Sequence, residues 1–208
     1  MAAPRHRRRS ALRHAAAIVV ATTVVGWAPS APAAESRPDA AKVRRAAESY
    51  DAGVRSWNAG RYAAAASHFE AADEAVPSAV SLGEAIKSRR KADHGARAAT
   101  LAALAKQRHP SEASLLALAD EVLAQFGPAT HRLEVRCSTE CVLAVGQRVI
   151  AGPPTRSAVL FVDPGQQTVS ASFADGSDGA SQVIVAHAGG HNSLYLRPAG
   201  EAAPAGVA

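Results

Sequence analysis

Residues Trp57 to Pro77, WNAGRYAAAASHFEAADEAVP, constrain this chain more than any other stretch. Tyr62, Ala65, Ala66, Phe69, Ala72 and Val76 recur at spacings that put them on one face of a helix. Gly60 precedes that helix and Pro77 follows it, while Tyr50, Val54 and Trp57 form an apolar stripe upstream. The segment therefore predicts two helices joined by a tight turn. Ala65 and Ala72 are small enough to let a partner helix approach, and Tyr62 and Phe69 fill the space between.

The pattern recurs. Ala65, Phe69 and Ala72 stand 12, 8 and 5 residues before Pro77, and Ala98, Ala102 and Ala105 stand at the same distances before Pro110, an offset of 33. The second copy has Ala102 in place of the aromatic. Its first helix is predicted over about Ser78 to Lys91 with Leu82, Ala85 and Ile86 inward, and Asp93 is the expected N-cap of its second. After Pro110, Ser111 opens a third helical pattern, with Glu112 in its first turn. Leu115, Leu118, Val122 and Phe126 form its stripe, and Gly127-Pro128 ends it.

The placing of Gly60, Tyr62, Ala65, Phe69, Ala72 and Pro77 resembles a tetratricopeptide repeat (TPR), whose period is about 34 residues. The resemblance implies two repeats and a capping helix over residues 40–126, stacked as a short solenoid that binds a protein segment in a groove. Arg55, Asn58, Lys87 and Arg90, at polar positions of the first helices, are then the candidate partner-binding residues. An ordinary five-helix bundle is the competing arrangement.

The N-terminus carries Arg5, Arg7, Arg8, Arg9 and Arg13, then an apolar run from Ala15 to Trp27, then Ala31-Pro32-Ala33. That order predicts a secretory signal peptide over residues 1–33. The run is short for a membrane span, which takes roughly 20 residues, so a membrane association is expected only if the leader stays uncleaved. Five of the 23 basic residues and none of the 18 acidic ones lie in the leader, so the remainder is balanced in charge. The basicity belongs to export, and no nucleic-acid partner is expected. The cluster Lys87, Arg89, Arg90 and Lys91 is expected to be a solvated helix face.

From His131 the period changes to two. Leu133, Val135 and Cys137 alternate with polar residues, and Cys141, Leu143 and Val145 do so again after Ser138-Thr139-Glu140, which predicts two strands joined by a three-residue turn. Val159 and Phe161, then Val169, Ala171 and Phe173, then Val183 and Val185, then Leu194 and Leu196 supply further apolar strand faces. Asp163-Pro164-Gly165, Asp175-Gly176-Ser177-Asp178-Gly179 and Gly189-Gly190 separate them as turns. The fold class is thus α+β in two domains, the second a small antiparallel β-sandwich over 131–198. Residues 199–208 are expected to be a disordered tail.

The segments Leu133 to Val135, Leu143-Ala144-Val145-Gly146, Gly152-Pro153-Pro154 and Val162 to Val169 are similar in order to a PEGA domain, a small envelope β-sandwich. The chain departs from it where Ala144-Val145 replaces the usual Asp, and where a Cys-containing turn replaces the Pro-Glu-Gly-Ala signature. The resemblance implies an adhesive or scaffolding module.

Cys137 and Cys141 are the only cysteines. In an exported protein they are expected to pair as a disulfide. A zinc site joining them to His187 and His191 is the alternative use. No phosphate-cradling loop, nucleophile elbow or His-Glu-x-x-His occurs, so neither catalysis nor a cofactor is expected. The sequence predicts a non-enzymatic adaptor of the periplasm or cell envelope that binds a protein partner. A module reading carbohydrate or peptidoglycan, with envelope polysaccharide as partner, is the second reading.

Overall fold

A computed structural model describes residues 39–150 and 152–199. The expected leader lies outside them, as does the tail from residue 200 on. The described residues form five helices followed by six strands, an α+β arrangement in chain order.

The first helical hairpin is α1 (Ala40–Asn58) and α2 (Tyr62–Ala75), the second α3 (Ala79–Lys91) and α4 (Gly95–Arg108), and α5 (Ala113–Phe126) packs on α4. Asp39 caps α1, its Oδ1 accepting from the Ala41 N–H at 3.0 Å. Gly60 ends it at φ 71°, where its N–H donates to Trp57 O and the Arg61 N–H donates to Ser56 O. These paired bonds satisfy carbonyls that the helix end leaves open, and they require a left-handed residue.

The same turn recurs in the second hairpin 33 residues later. Asp93 takes φ 56°, its N–H donates to Arg90 O, and the His94 N–H donates to Arg89 O. Asp93 is therefore not the N-cap of α4, as the sequence suggested. It closes α3, and His94 holds the N-cap position. Ser78 caps α3 rather than opening it. Glu112 likewise precedes α5 instead of entering its first turn.

Phe69, Leu82, Ile86, Ala98, Ala102 and Val122 are fully buried at the centre of the helical core. Leu82, Ala85 and Ile86 face inward as their spacing predicted. Ala65, Ala72 and Ala105 are buried as well, which is what allows the helices to close on one another.

The strands are β1 (His131–Val145), β2 (Arg148–Val149), β3 (Thr155–Val162), β4 (Gly165–Phe173), β5 (Ala180–Ala186) and β6 (His191–Leu196). β1 is one long strand, not two joined by a turn. Ser138, Thr139 and Glu140 sit within it, at a shift in its register against β3 between Arg136 and Cys141. An insertion of this kind bends a strand without ending it. The first half of β1 lies between β3 and β6, and its second half pairs with β4 and with short β2. β4 then pairs with β5. All pairs are antiparallel except β1 with β6, which run parallel, a departure from the all-antiparallel sheet expected from the hairpin-like turns.

One apolar core serves all of the longer strands, with Leu133, Val135, Leu143, Leu160, Val169 and Leu194 among its members. On β3 the inward residues are Leu160 and Val162, and on β5 they are Ile184 and Ala186. The sequence pattern had picked the other faces, Val159 with Phe161 and Val183 with Val185. Both strands are apolar on both sides, so alternation alone could not choose. Val183 and Val185 are exposed, and β3 packs against α4.

Candidate functional site

Two concave surfaces merit a functional reading, one on the helices and one where α4 meets the sheet.

The first is a groove of about 260 Å³ between α3 and α5, lined by Val80, Gly83, Lys87, Glu112, Leu115 and Leu118 among others. Val80 stands 62% exposed at its rim. A Cβ at Gly83 would make an ordinary contact with Leu115 Cδ1 at 3.5 Å across the groove. Lys87 donates to Glu84 at 2.8 Å, and Arg90 ties α3 to α5 through Glu121 at 3.1 Å. Glu112 makes no side-chain hydrogen bond or ion pair among the described residues. Of the four candidate partner-binding residues, Lys87 lines this groove and Arg90 spans the two helices beside it. Arg55 and Asn58 are exposed on α1 and do not line it.

Trp57 and Tyr62 meet edge-to-face with ring centroids 5.0 Å apart, and Tyr50 meets Phe69 at 5.2 Å. These aromatics hold α1 to α2.

The second surface is a cleft of about 170 Å³ between α4 and the β2–β3 region. Its walls are largely apolar, from Leu101 and Leu104 on the helix and from Leu143, Ile150 and Leu160 on the sheet side. A smaller cavity of about 110 Å³ adjoins it and shares Arg97, Thr100 and Ile150. Thr100 is the seam. Its Oγ1 accepts from the Phe161 N–H at 2.9 Å, and its proton faces the carbonyls of Ala96 and Phe161. One hydroxyl thus joins an interior helix turn to the backbone of β3.

Behind the cleft lies a buried ionic cluster. Glu70 on α2 accepts from Arg89 Nε at 2.7 Å and from Arg97 Nε and Nη2 at 3.1 and 2.6 Å. Burial pushes the Glu70 carboxyl up, but the charge of Arg97 and the hydrogen bonds from Arg97 and Arg89 outweigh it and hold the group below the ordinary carboxylate range. Arg89 also reaches Ser67 and His94, so it fastens α2 to α3 and to the start of α4. Nearby, Asp73 accepts from Arg108 Nη1 at 2.8 Å and from the Ser78 N–H at 2.9 Å. The charged residues of α3 are therefore only partly the solvated face that the sequence suggested. Lys87, Arg89 and Arg90 are each paired.

Cys137 and Cys141 are bonded to each other across a Cα separation of 6.3 Å. A disulfide sulfur is no zinc ligand, so the Cys half of the set considered for zinc is already used. Among the described residues no three His, Cys, Asp or Glu side chains are placed to hold a metal ion. His191 opens β6 on the surface, and the His187 N–H donates to Nδ1 of the buried His131. The turn at Asp175 docks on the disulfide bulge through Thr139 and through Ala174 N–H to Glu140 O at 2.8 Å. Hydrogen bonds from Ser177 lower the Asp175 carboxyl, so this Asp-Gly segment acts as a turn that satisfies its own carboxylate.

Compared with models of known protein families and with curated proteins, the chain matches none. No helix among the described residues is long and apolar enough to cross a membrane.

Proposed function

We propose that this chain is an exported, non-enzymatic adaptor whose TPR-like helical half docks a segment of another protein, with a PEGA-like β-sandwich beside it. The observation that carries this reading is the α3–α5 groove. It offers an apolar floor at Leu115 and Leu118 and an apolar rim at Val80, beside the Glu112 carboxylate, which has no side-chain partner among the described residues. Helical repeats build concave binding faces from neighbouring units in this way. The hairpins add support, because their turn hydrogen bonds repeat at the same 33-residue offset as their alanines.

The fitting occupant is a segment that presents an apolar side chain to Val80 and Leu118 and a cation to Glu112. The division of β1 between two sets of strands around one core supports the sandwich reading of the sheet half. The Cys137–Cys141 bond supports export, since such bonds persist in oxidising compartments. Carbohydrate reading ranks second because Tyr195, 36% exposed, is the one large exposed aromatic among the described residues.

The test is affinity capture from the host's envelope with the wild-type protein and with Val80→Asp. Both residues at that surface position leave the core untouched, so the variant should melt as wild type does. A protein captured by the wild type and lost with Val80→Asp supports the groove. Capture that is equal for the two proteins rejects it.

A further inference from the structure

Arg97 is in the first turn of α4 and only 4% exposed. Its Nε and Nη2 are used by Glu70, while Nη1 is buried without a partner among the described residues. Glu70 supplies one negative charge to two guanidinium groups, Arg89 and Arg97. The cluster therefore carries one uncompensated positive charge. The share of that charge on Arg97 is held away from water, which is unfavourable unless something neutralises it.

Arg97 also lines both cavities at the helix–sheet seam. A first helical turn adds its own partial positive charge there. Most of the remaining surface of the larger cavity is apolar, from Leu101, Leu104, Leu143, Ile150 and Leu160, and its second guanidinium, Arg108, is already paired with Asp73. We propose that this cleft binds a small amphipathic anion, an apolar body ending in a single carboxylate that pairs with Arg97. One carboxylate balances the excess charge, whereas a dianion would overcompensate it in apolar surroundings. A cavity of about 150 Å³ holds a benzene-sized molecule, so a body of about six carbons matches this one. Nη1 has almost no solvent-exposed surface. Binding therefore includes a small turn of the guanidinium, of the kind interface side chains commonly make. The site is separate from the α3–α5 groove, and its test is independent of the adaptor reading.

Hexanoate is the probe, with hexan-1-ol and hexylammonium as comparisons, titrated into the purified protein and followed by amide NMR shifts and calorimetry. Hexanoate should bind with a Kd on the order of 0.1–1 mM and shift signals of α4 and β3. Hexanol should bind at least tenfold more weakly and hexylammonium not at all. Leu104→Glu places a carboxylate in the cleft, where it competes with the ligand for Arg97, and removes none of the Glu70 ion pairs. It should weaken hexanoate at least tenfold, with circular dichroism showing that the variant keeps its helices, since Leu104 also packs against the helical core. Arg97→Lys keeps the charge but loses the planar fork, and it should weaken hexanoate less than Leu104→Glu does. Equal binding of hexanol, or hexanoate binding indifferent to Leu104→Glu, overturns the assignment, as does no binding of hexanoate at all.

Discussion

The two helical hairpins share a backbone but divide their core volume differently. In the first, Gly53 on α1 lies under Phe69 on α2, and a Cβ at Gly53 would stand 2.6 Å from the Phe69 ring. At the corresponding positions of the second, 33 residues on, stand Ile86 and Ala102, both fully buried. The large residue has moved from the second helix to the first. Similarly, Tyr62 starts α2, whereas Gly95 starts α4, and Phe126 of α5 closes over Gly95, where a Cβ would meet its Cδ1 at 2.5 Å. The turn's backbone hydrogen bonds repeat position for position, but the filling of the layer is negotiated between neighbours. A repeat is thus kept by its caps and its small residues, and its bulky residues are free to trade places.

Exchange of volume is the most direct way to break this comparison. Phe69→Ala should cost about 3–5 kcal/mol, because it empties a fully buried aromatic site above Gly53. Ala102→Phe should also destabilise strongly, since the second hairpin already holds Ile86 there. Adding Ile86→Gly to Ala102→Phe recreates the first hairpin's pair. Despite about 1 kcal/mol lost to a helical glycine, the double variant should be more stable than Ala102→Phe alone in urea unfolding. A double variant no better than the single one would mean that α5, and not Ile86, sets the room available.

The ionic cluster separates the hairpins in another way, because Glu70 belongs to the first and both its arginines to the second. Glu70→Gln leaves two guanidinium groups facing a neutral amide and should cost about 3 kcal/mol at pH 7. The pH dependence follows from the lowered Glu70 carboxyl. A carboxylate whose folded pKa is depressed contributes stability above its unfolded pKa, about 4.3, and loses it as pH falls through the folded value. Thermal melts of wild type and Glu70→Gln should therefore differ at pH 7 and converge as the pH drops below about 4. A gap that persists unchanged at pH 3 would show that the difference is one of packing and not of charge.

The helices were legible because their signals are local. Spaced alanines, a glycine before Tyr62 and prolines after each hairpin all act within one or two turns. The Glu70 cluster was not legible, for its members lie 19 and 27 residues apart and look on paper like solvated charges of alanine-rich helices. In the sheet, alternation located strands but not faces. Val183, Ile184, Val185 and Ala186 form a continuous apolar run, and only the packed structure decides which pair turns inward. Ser138-Thr139-Glu140 has the composition of a turn, yet pairing on both sides of it carries β1 straight through. The parallel pairing of β6 with β1 has no local signal at all, since it joins segments some 60 residues apart. The cleft beside Arg97 is hidden for the same reason, being made by α4 and β3 together.

The turn residues give the smallest effect and the sharpest comparison. Gly60 and Asp93 hold equivalent left-handed positions, at φ 71° and 56°, with the same two backbone bonds around them. Glycine adopts that conformation freely, whereas a residue with a Cβ is strained in it, aspartate less than most. Asp93→Gly relieves the strain but also frees the unfolded chain, so the net gain should be only about 0.5–1 kcal/mol. Gly60→Asp, the reciprocal change, should lose a similar amount, because a Cβ at Gly60 meets nothing within 4 Å and the backbone alone decides. Urea midpoints measured side by side should move in opposite directions by comparable amounts. If Asp93→Gly instead destabilised, the aspartate side chain would have a role in the α3–α4 turn beyond accommodating its backbone, and the equivalence of the two hairpins would end at that residue.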